Sequence, residues 1–303
     1  MTTPSGQQVF HGHRRLLFSV AYRLLGSAAD AEDAVQDAWI KWSAADRSQV
    51  ADPKAYLTRI VSNLALERLR SARHKRETYV GPWLPEPILT GGDAAEAAVD
   101  AESVSSAMLV VLETLSPLER AVFVLKEVFA FSHVEIAGMV ERSEATVRQA
   151  AHRARAHVRA RRPRFTADRS RQREVTERFF AAATGGDVNA LMELLSPDVT
   201  LWTDGGGKVR QALRPVVGAA TVAAWFAAIG TVAYQGVEPA DMKAELLEVN
   251  GGPGIVFSAP GRVIATLTFD FDADGRITAL HNVANPDKLH AVAGGTSYDI
   301  GTR

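Results

Sequence analysis

Arg148, Gln149, His152, Arg153 and Arg155 crowd one short stretch of the chain, and these side-chain types suit contact with nucleic acid. Arg and Gln can each make paired hydrogen bonds to a guanine or adenine edge in the major groove. The surrounding window, Glu141 to Arg164, holds eight basic residues and two acids, and an earlier one, Lys54 to Arg76, holds seven and one. Within that earlier window Arg59, Asn63, Leu66 and Arg70 fall on one helical face. Basic and amide groups around one apolar side chain can serve phosphates, base edges and an unstacked base. A third set has the opposite sign: Asp30, Asp33 and Asp37 form a single carboxylate stripe, with Gln36 beside it. Such a stripe suits a basic protein partner and repels a phosphate backbone, although on periodicity alone a solvated face explains it equally well. For acid–base work the chain offers Asp204, Lys208, Asp270, His281 and Asp287. Asp204 and Lys208, however, flank Gly205, Gly206 and Gly207, which read as a flexible loop and not a catalytic platform. With no cysteine there is no disulfide framework, thiol nucleophile or zinc ribbon, and no catalytic residue, metal or cofactor is expected.

The elements that must position these groups are mostly helical at first. At 303 residues, two or three domains are expected, and a net charge of −1 with 47% hydrophobic residues excludes a disordered or collagen-like chain. Apolar spacing of three and four in Leu16, Leu17, Val20, Ala21 and Leu24 predicts a helix stopped by Gly26. Asp30 to Trp42 gives the next, and Pro53 precedes a long one from Lys54 to Lys75. Gly81-Pro82-Trp83-Leu84-Pro85-Glu86-Pro87 cannot be helical, so residues 77–100 read as a linker. Its Trp83 and Leu84 are apolar beyond what reach alone requires, and such surface normally docks. Residues 101–164 are helical again, with capping boxes at Ser116-Pro117-Leu118-Glu119 and Ser132-His133-Val134-Glu135, and a cap at Ser143. Ser132 to Arg161 has a short helix, a polar turn and a long basic helix, which is a helix-turn-helix pattern.

After about Thr166 two short helices, Arg173 to Ala183 and Val188 to Leu195, precede strands at Val199–Thr203, Leu246–Val249, Ile255–Ser258, Arg262–Phe271 and Ile277–Val283. Asp274-Gly275 signals a hairpin between the last two. The expectation is an α+β domain, a curved antiparallel sheet wrapped around a helix. Val216 to Val237 is uncharged and long enough to span a bilayer, but its Gly, Ala and Thr content reads as a buried helix followed by a strand. The N-terminus is polar and not a secretory signal. A cytoplasmic protein with no membrane contact is expected.

Asp30-Ala31-Glu32-Asp33-Ala34-Val35-Gln36-Asp37-Ala38-Trp39 and Ala55 to Asn63 resemble region 2 of extracytoplasmic-function sigma factors. Leu115-Ser116-Pro117-Leu118-Glu119-Arg120 and the following helix-turn-helix resemble region 4. Trp83-Leu84-Pro85-Glu86-Pro87, Asp204-Gly205-Gly206-Gly207-Lys208 and Asn285-Pro286-Asp287-Lys288-Leu289 resemble the subgroup that carries a SnoaL-like C-terminal domain. The resemblance implies region 2 at 10–76, region 4 at 101–164 and a regulatory domain at 166–303. It implies that Asp33, Gln36 and Asp37 meet core RNA polymerase. Arg59, Asn63, Leu66 and Arg70 would then face the −10 strand, and Arg148, Gln149, His152, Arg153 and Arg155 the −35 duplex. The three subgroup motifs would carry interdomain regulation, and the C-terminal cone could hold a small apolar ligand. The alternative is a helix-turn-helix regulator fused to a ligand-binding or cyclase-like enzyme domain.

Overall fold

The computed structural model describes residues 5–91, 105–161, 168–228, 233–298 and 300. Helix α1 (Gly6–Leu25) opens on a capping box between Ser5 and Gln8 and closes on Gly26, whose φ of 66° lies in the left-handed region that glycine enters freely. Helices α2 (Ala28–Ala44) and α3 (Pro53–Glu77) follow, and Leu17, Val20, Leu24, Val35, Trp42, Leu57 and Val61 are buried among them. The linker then contributes a two-residue strand, β1 (Leu89–Thr90).

The second helical segment contains α4 (Ser106–Glu113), α5 (Pro117–Phe123), α6 (His133–Val140) and α7 (Glu144–Arg161). Both expected capping boxes form, at Ser116 with Glu119 and at Ser132 with Glu135. Ser143 Oγ accepts from the Thr146 amide at 3.2 Å, capping α7. Val147, Ala150, Ala151, Ala154 and Val158 form the buried face of α7, and their small volumes let it approach α5 and α6 closely.

The last segment starts with α8 (Arg169–Gly185) and α9 (Val188–Leu194), which runs straight into β2 (Leu195–Asp204). Strand β3 (Val216–Val217) and helix α10 (Ala219–Ala227) come next. Strands β4 (Lys243–Val249), β5 (Gly252–Ala259), β6 (Arg262–Phe271) and β7 (Ile277–Val283) form the antiparallel meander. A short helix, α11 (His290–Ala293), and strand β8 (Ser297–Tyr298) end the described chain. The sheet order is β3-β2-β7-β6-β5-β4-β1-β8. It is mixed: β2 lies parallel to β7, since α10 and four strands intervene before the chain returns, and a parallel neighbour needs such a crossover. Helices α8 and α10 cover one face, with Phe179, Phe226, Leu267 and Leu280 between the layers. Among the described residues, the strand expected before Val237 is represented by an isolated Tyr234–Val237 bridge. Among the described residues no helix is long and apolar enough to cross a membrane.

Two features position everything else. The first two helical segments share one apolar core, because α3 packs on α1 and α2 and also on α5 and α6. The linker strand β1 is inserted into the C-terminal sheet, antiparallel to β4 and parallel to β8. Beyond β8, Ile300 is buried in the N-terminal core, and Tyr298 stacks on Phe18 with ring centroids 4.6 Å apart. The expected boundaries at residues 100–101 and 164–166 fall outside the described residues.

Candidate nucleic-acid faces and the linker junction

On α2, Asp33 and Gln36 are exposed, while Asp37 is half-buried and accepts from Arg68 Nη2 at 2.6 Å. On α3, Arg59 and Arg70 are exposed and Asn63 is half-buried. Leu66 departs from expectation. It is only 4% exposed and belongs to the shared core, so it does not stand on an open face. Helical periodicity alone buries α3 on one side only, whereas α5 and α6 cover part of the other. That packing also brings Glu141, in the turn of the helix-turn-helix, within 2.9 Å of Arg59 Nη2.

On α7, Arg148, Gln149, His152 and Arg153 are exposed and Arg155 is half-buried. Three of the arginines have carboxylate partners: Arg148 with Glu144 at 2.8 Å, Arg153 with Glu119 at 2.6 Å and Arg155 with Glu127 at 2.7 Å. The last two bonds brace α7 against α5 and the turn after it. Exposed pairs of this kind contribute about 0–1 kcal/mol each, so exchanging a carboxylate for a phosphate costs little.

The subgroup motifs converge on the linker. Asp204, at the end of β2, is fully buried and accepts from the Leu84 amide at 2.8 Å, from Lys288 Nζ at 2.7 Å and from the Tyr79 hydroxyl. Lys288 Nζ also donates to the Leu84 carbonyl at 2.6 Å and lies 4.0 Å from the Trp83 ring centroid, a cation–π geometry. Asn285 Nδ2 donates to the Tyr79 oxygen at 2.8 Å. Burial, and then the bond to Asp204, push the Tyr79 phenol well above the usual tyrosine range. Leu84, Val283 and Leu289 form a small apolar cluster beneath these bonds. Pro85 is buried, and Pro286 and Asp287 are exposed.

The three glycines after Asp204 are not a floppy loop. They form a tight turn in which the Lys208 and Val209 amides both donate to the Gly205 carbonyl, at 2.9 and 3.1 Å. A Cβ on Gly205 would collide with the Val209 carbonyl. Gly206, at φ 59°, would drive one into the Asn285 amide that holds Tyr79. Glycine is therefore required by close approach. The five acid–base candidates are engaged in three separate pairs: Asp204 with Lys288, Lys208 with Asp287, and His281 Nε2 with Asp270 at 2.9 Å.

Three further residues complete the junction, and residue type and spacing in the sequence do not announce their contacts. Glu86 caps α2 by accepting from the Ala28 amide at 2.8 Å, and burial raises its carboxyl. Arg120, 2% exposed, donates to the Leu24 carbonyl at 2.8 Å and to Glu113 at 2.7 Å, and desolvation pulls its guanidinium down to about 9. Asn250 Oδ1 accepts from the Ile88 amide at 2.8 Å. Asn250-Gly251, with φ of 49° and 73°, is a hairpin signal, and that was the one sign that could have located Asn250. Nothing local announces its contact with the linker.

The described chain thus holds two helical modules that share one core, the second a helix-turn-helix with an arginine-rich outer face, and a linker docked on the C-terminal sheet. The chain matches Sigma-70 region 2 over residues 9–75 and Sigma-70 region 4 over residues 105–158. It is 42% identical to the ECF RNA polymerase sigma factor SigJ of Mycobacterium tuberculosis, over 92% of each chain. It is 31% identical to that organism's probable ECF RNA polymerase sigma factor SigI, over 94% of this chain and 96% of the relative. The crystal structure of M. tuberculosis SigJ superposes with a TM-score of 0.73 at 38% identity, covering 93% of this chain and 97% of that one. The chain belongs to the family of ECF RNA polymerase sigma factors. Members of this family bind core RNA polymerase and promoter DNA and carry no catalytic step of their own.

Proposed function

We propose that this sigma factor is tuned by its own C-terminal domain, which grips the linker and so sets how the two DNA-contacting modules sit on polymerase and promoter. The observation that carries this reading is the buried Asp204–Lys288 pair closed over Tyr79, Trp83 and Leu84. Because polymerase engages both modules at once, a change in their spacing alters affinity with no new polymerase contact. Ending the chain after Arg161 strips the linker of its cover and removes Ile300 from the N-terminal core. Promoter-specific run-off transcription with core polymerase is therefore expected to fall in the truncated chain. Equal transcription and equal polymerase affinity in the two chains would refute the tuning role.

In this reading Asp33, Gln36 and Asp37 form the polymerase-binding stripe. The double substitution Asp33→Arg, Asp37→Arg is expected to abolish capture of core polymerase and leave the melting temperature nearly unchanged, since Asp33 is exposed and the Asp37–Arg68 pair is a surface pair. Normal capture by a folded double variant would reassign the partner surface. Arg59, Asn63 and Arg70 serve the −10 strand from α3, and Leu66 supports their helix from within.

Arg148, Gln149, His152, Arg153 and Arg155 serve the −35 duplex. Arg148→Ala and Gln149→Ala are each expected to weaken −35 recognition by about 1–3 kcal/mol, with little effect on random DNA. Arg161→Ala, at the helix end, is expected to weaken all sequences alike and to flatten the salt dependence. Titrations on promoter and scrambled duplexes at several salt concentrations separate the two behaviours. An equal loss on both duplexes would remove Arg148 from the specificity set.

The C-terminal domain also offers a ligand site between sheet and helices. A pocket of about 210 Å³ is lined by Phe179, Phe226, Met242, Ile255 and Phe257, which suits a single-ring or short aliphatic apolar molecule.

A further inference from the structure

The two segments that hold the linker have another side. There, away from Asp204 and Lys288, a groove of about 540 Å³ runs between the end of the three-glycine turn and α11. One wall is Lys208, Val209 and Arg210, and the other is Pro286, His290 and Ala293. Val263, Ala284 and Leu289 add apolar surface, and Arg262 and Gln235 also line the groove. Two of these side chains, Arg210 and Arg262, are guanidinium cations, and among the described residues no carboxylate lines the groove. The nearby acid Asp287 is committed to Lys208 Nζ, through both oxygens at 2.6 and 2.7 Å. Arg262 does not wave freely: its Nη2 donates to the Gln235 carbonyl at 3.0 Å, and Gln235 Nε2 is anchored on the Ile264 carbonyl at 2.8 Å.

A concave site with convergent cations and an apolar lining recognises a charge and a hydrophobic body together. We propose that this groove binds a small amphipathic organic anion, a ring or short chain bearing a carboxylate, sulfonate or phosphate that Arg210 and Arg262 receive. Guanidinium groups suit such oxyanions because they donate two parallel hydrogen bonds. The volume lies within the range of small-molecule sites, and the walls on either side favour a compact ligand over a nucleic-acid backbone. The inference stands apart from the tuning role of the domain, since binding can be measured with no transcription.

The probe is 8-anilinonaphthalene-1-sulfonate, titrated by fluorescence into the full-length protein at about 0.1 M salt, where weak long-range attraction is screened. One saturable site is expected, and the uncharged analogue N-phenyl-1-naphthylamine should not compete for it. Arg210→Glu with Arg262→Glu removes the charge, and Ala293→Trp fills the groove without touching the charge. Each variant is expected to raise Kd about tenfold or more at an unchanged melting temperature. Dye binding that survives both variants belongs to the aromatic pocket of the domain and overturns the proposal. A loss in the charge variant alone reports diffuse attraction and overturns it too, as does equal competition by the uncharged analogue.

Discussion

Replacing Asp204 by alanine is expected to cost about 3–5 kcal/mol of folding free energy, because it strands a buried ammonium. Asp204 is fully buried and Lys288 is 7% exposed, so water cannot take over from the lost carboxylate. The Leu84 amide and the Tyr79 hydroxyl lose their acceptor at the same stroke. Each buried donor left unmatched adds its own desolvation penalty. The check is denaturant unfolding of full-length protein, followed by the double variant Asp204→Leu, Lys288→Met. Removing both charges should restore much of the loss, since a buried pair is often replaceable by apolar groups although half of it is not tolerated. A single variant within about 1 kcal/mol of the parent would mean that the pair contributes little, and the linker grip would need another origin.

The second large effect concerns the closed arrangement of the two helical modules, whose α3 and α7 faces are proposed to meet DNA. Arg59 on α3 and Glu141 beside α7 are 2.9 Å apart. The −10 and −35 elements lie about 25 base pairs apart, or about 85 Å along a duplex at 3.4 Å per step. A molecule that uses both faces on one promoter must therefore separate α3 from α6. The chain has no cysteine, so Arg59→Cys with Glu141→Cys creates a unique pair for a reducible thiol-reactive bridge. Bridging about 99% of the molecules should lower promoter-specific initiation about a hundredfold relative to the same variant unbridged, in proportion to the competent fraction. Reduction should restore it. Initiation unaffected by a complete bridge would show that the modules work without parting.

Much of this architecture was legible in local patterns. The caps at Ser116, Ser132 and Ser143 and the strands Arg262–Phe271 and Ile277–Val283 follow from short-range chemistry, and the structure keeps them in place. What the sequence hid is long-range. Leu66 reads as an outer residue because a wheel knows one neighbour per helix, and α3 has neighbours on two sides. The parallel pairing of β2 with β7, and the capture of Leu89–Thr90 as a strand, depend on partners more than seventy residues away. Arg120 looks like an ordinary helix-surface arginine until α1 presents the Leu24 carbonyl to it. Lys208 and Asp287 stand 79 residues apart in sequence, and the fold pairs them beside a basic groove.

The strand after α11 carries a consequence for biosynthesis. Arg23 Nη2 donates at 2.9 Å to the carbonyl of Ile300, 277 residues further along, and Ile300 fills part of the core built by α1. At a translation rate of about 5–20 residues per second, Ile300 follows Arg23 by about 14–55 s. Throughout that interval the nascent N-terminal module has its Phe18–Arg23 flank uncovered on the ribosome. A chain stalled or cleaved before residue 297 never acquires the cover. The α1 module thus reports whether the segment around Ile300 has been made, and protease sensitivity of the α1 flank would distinguish chains that reach Ile300 from those that stop before it.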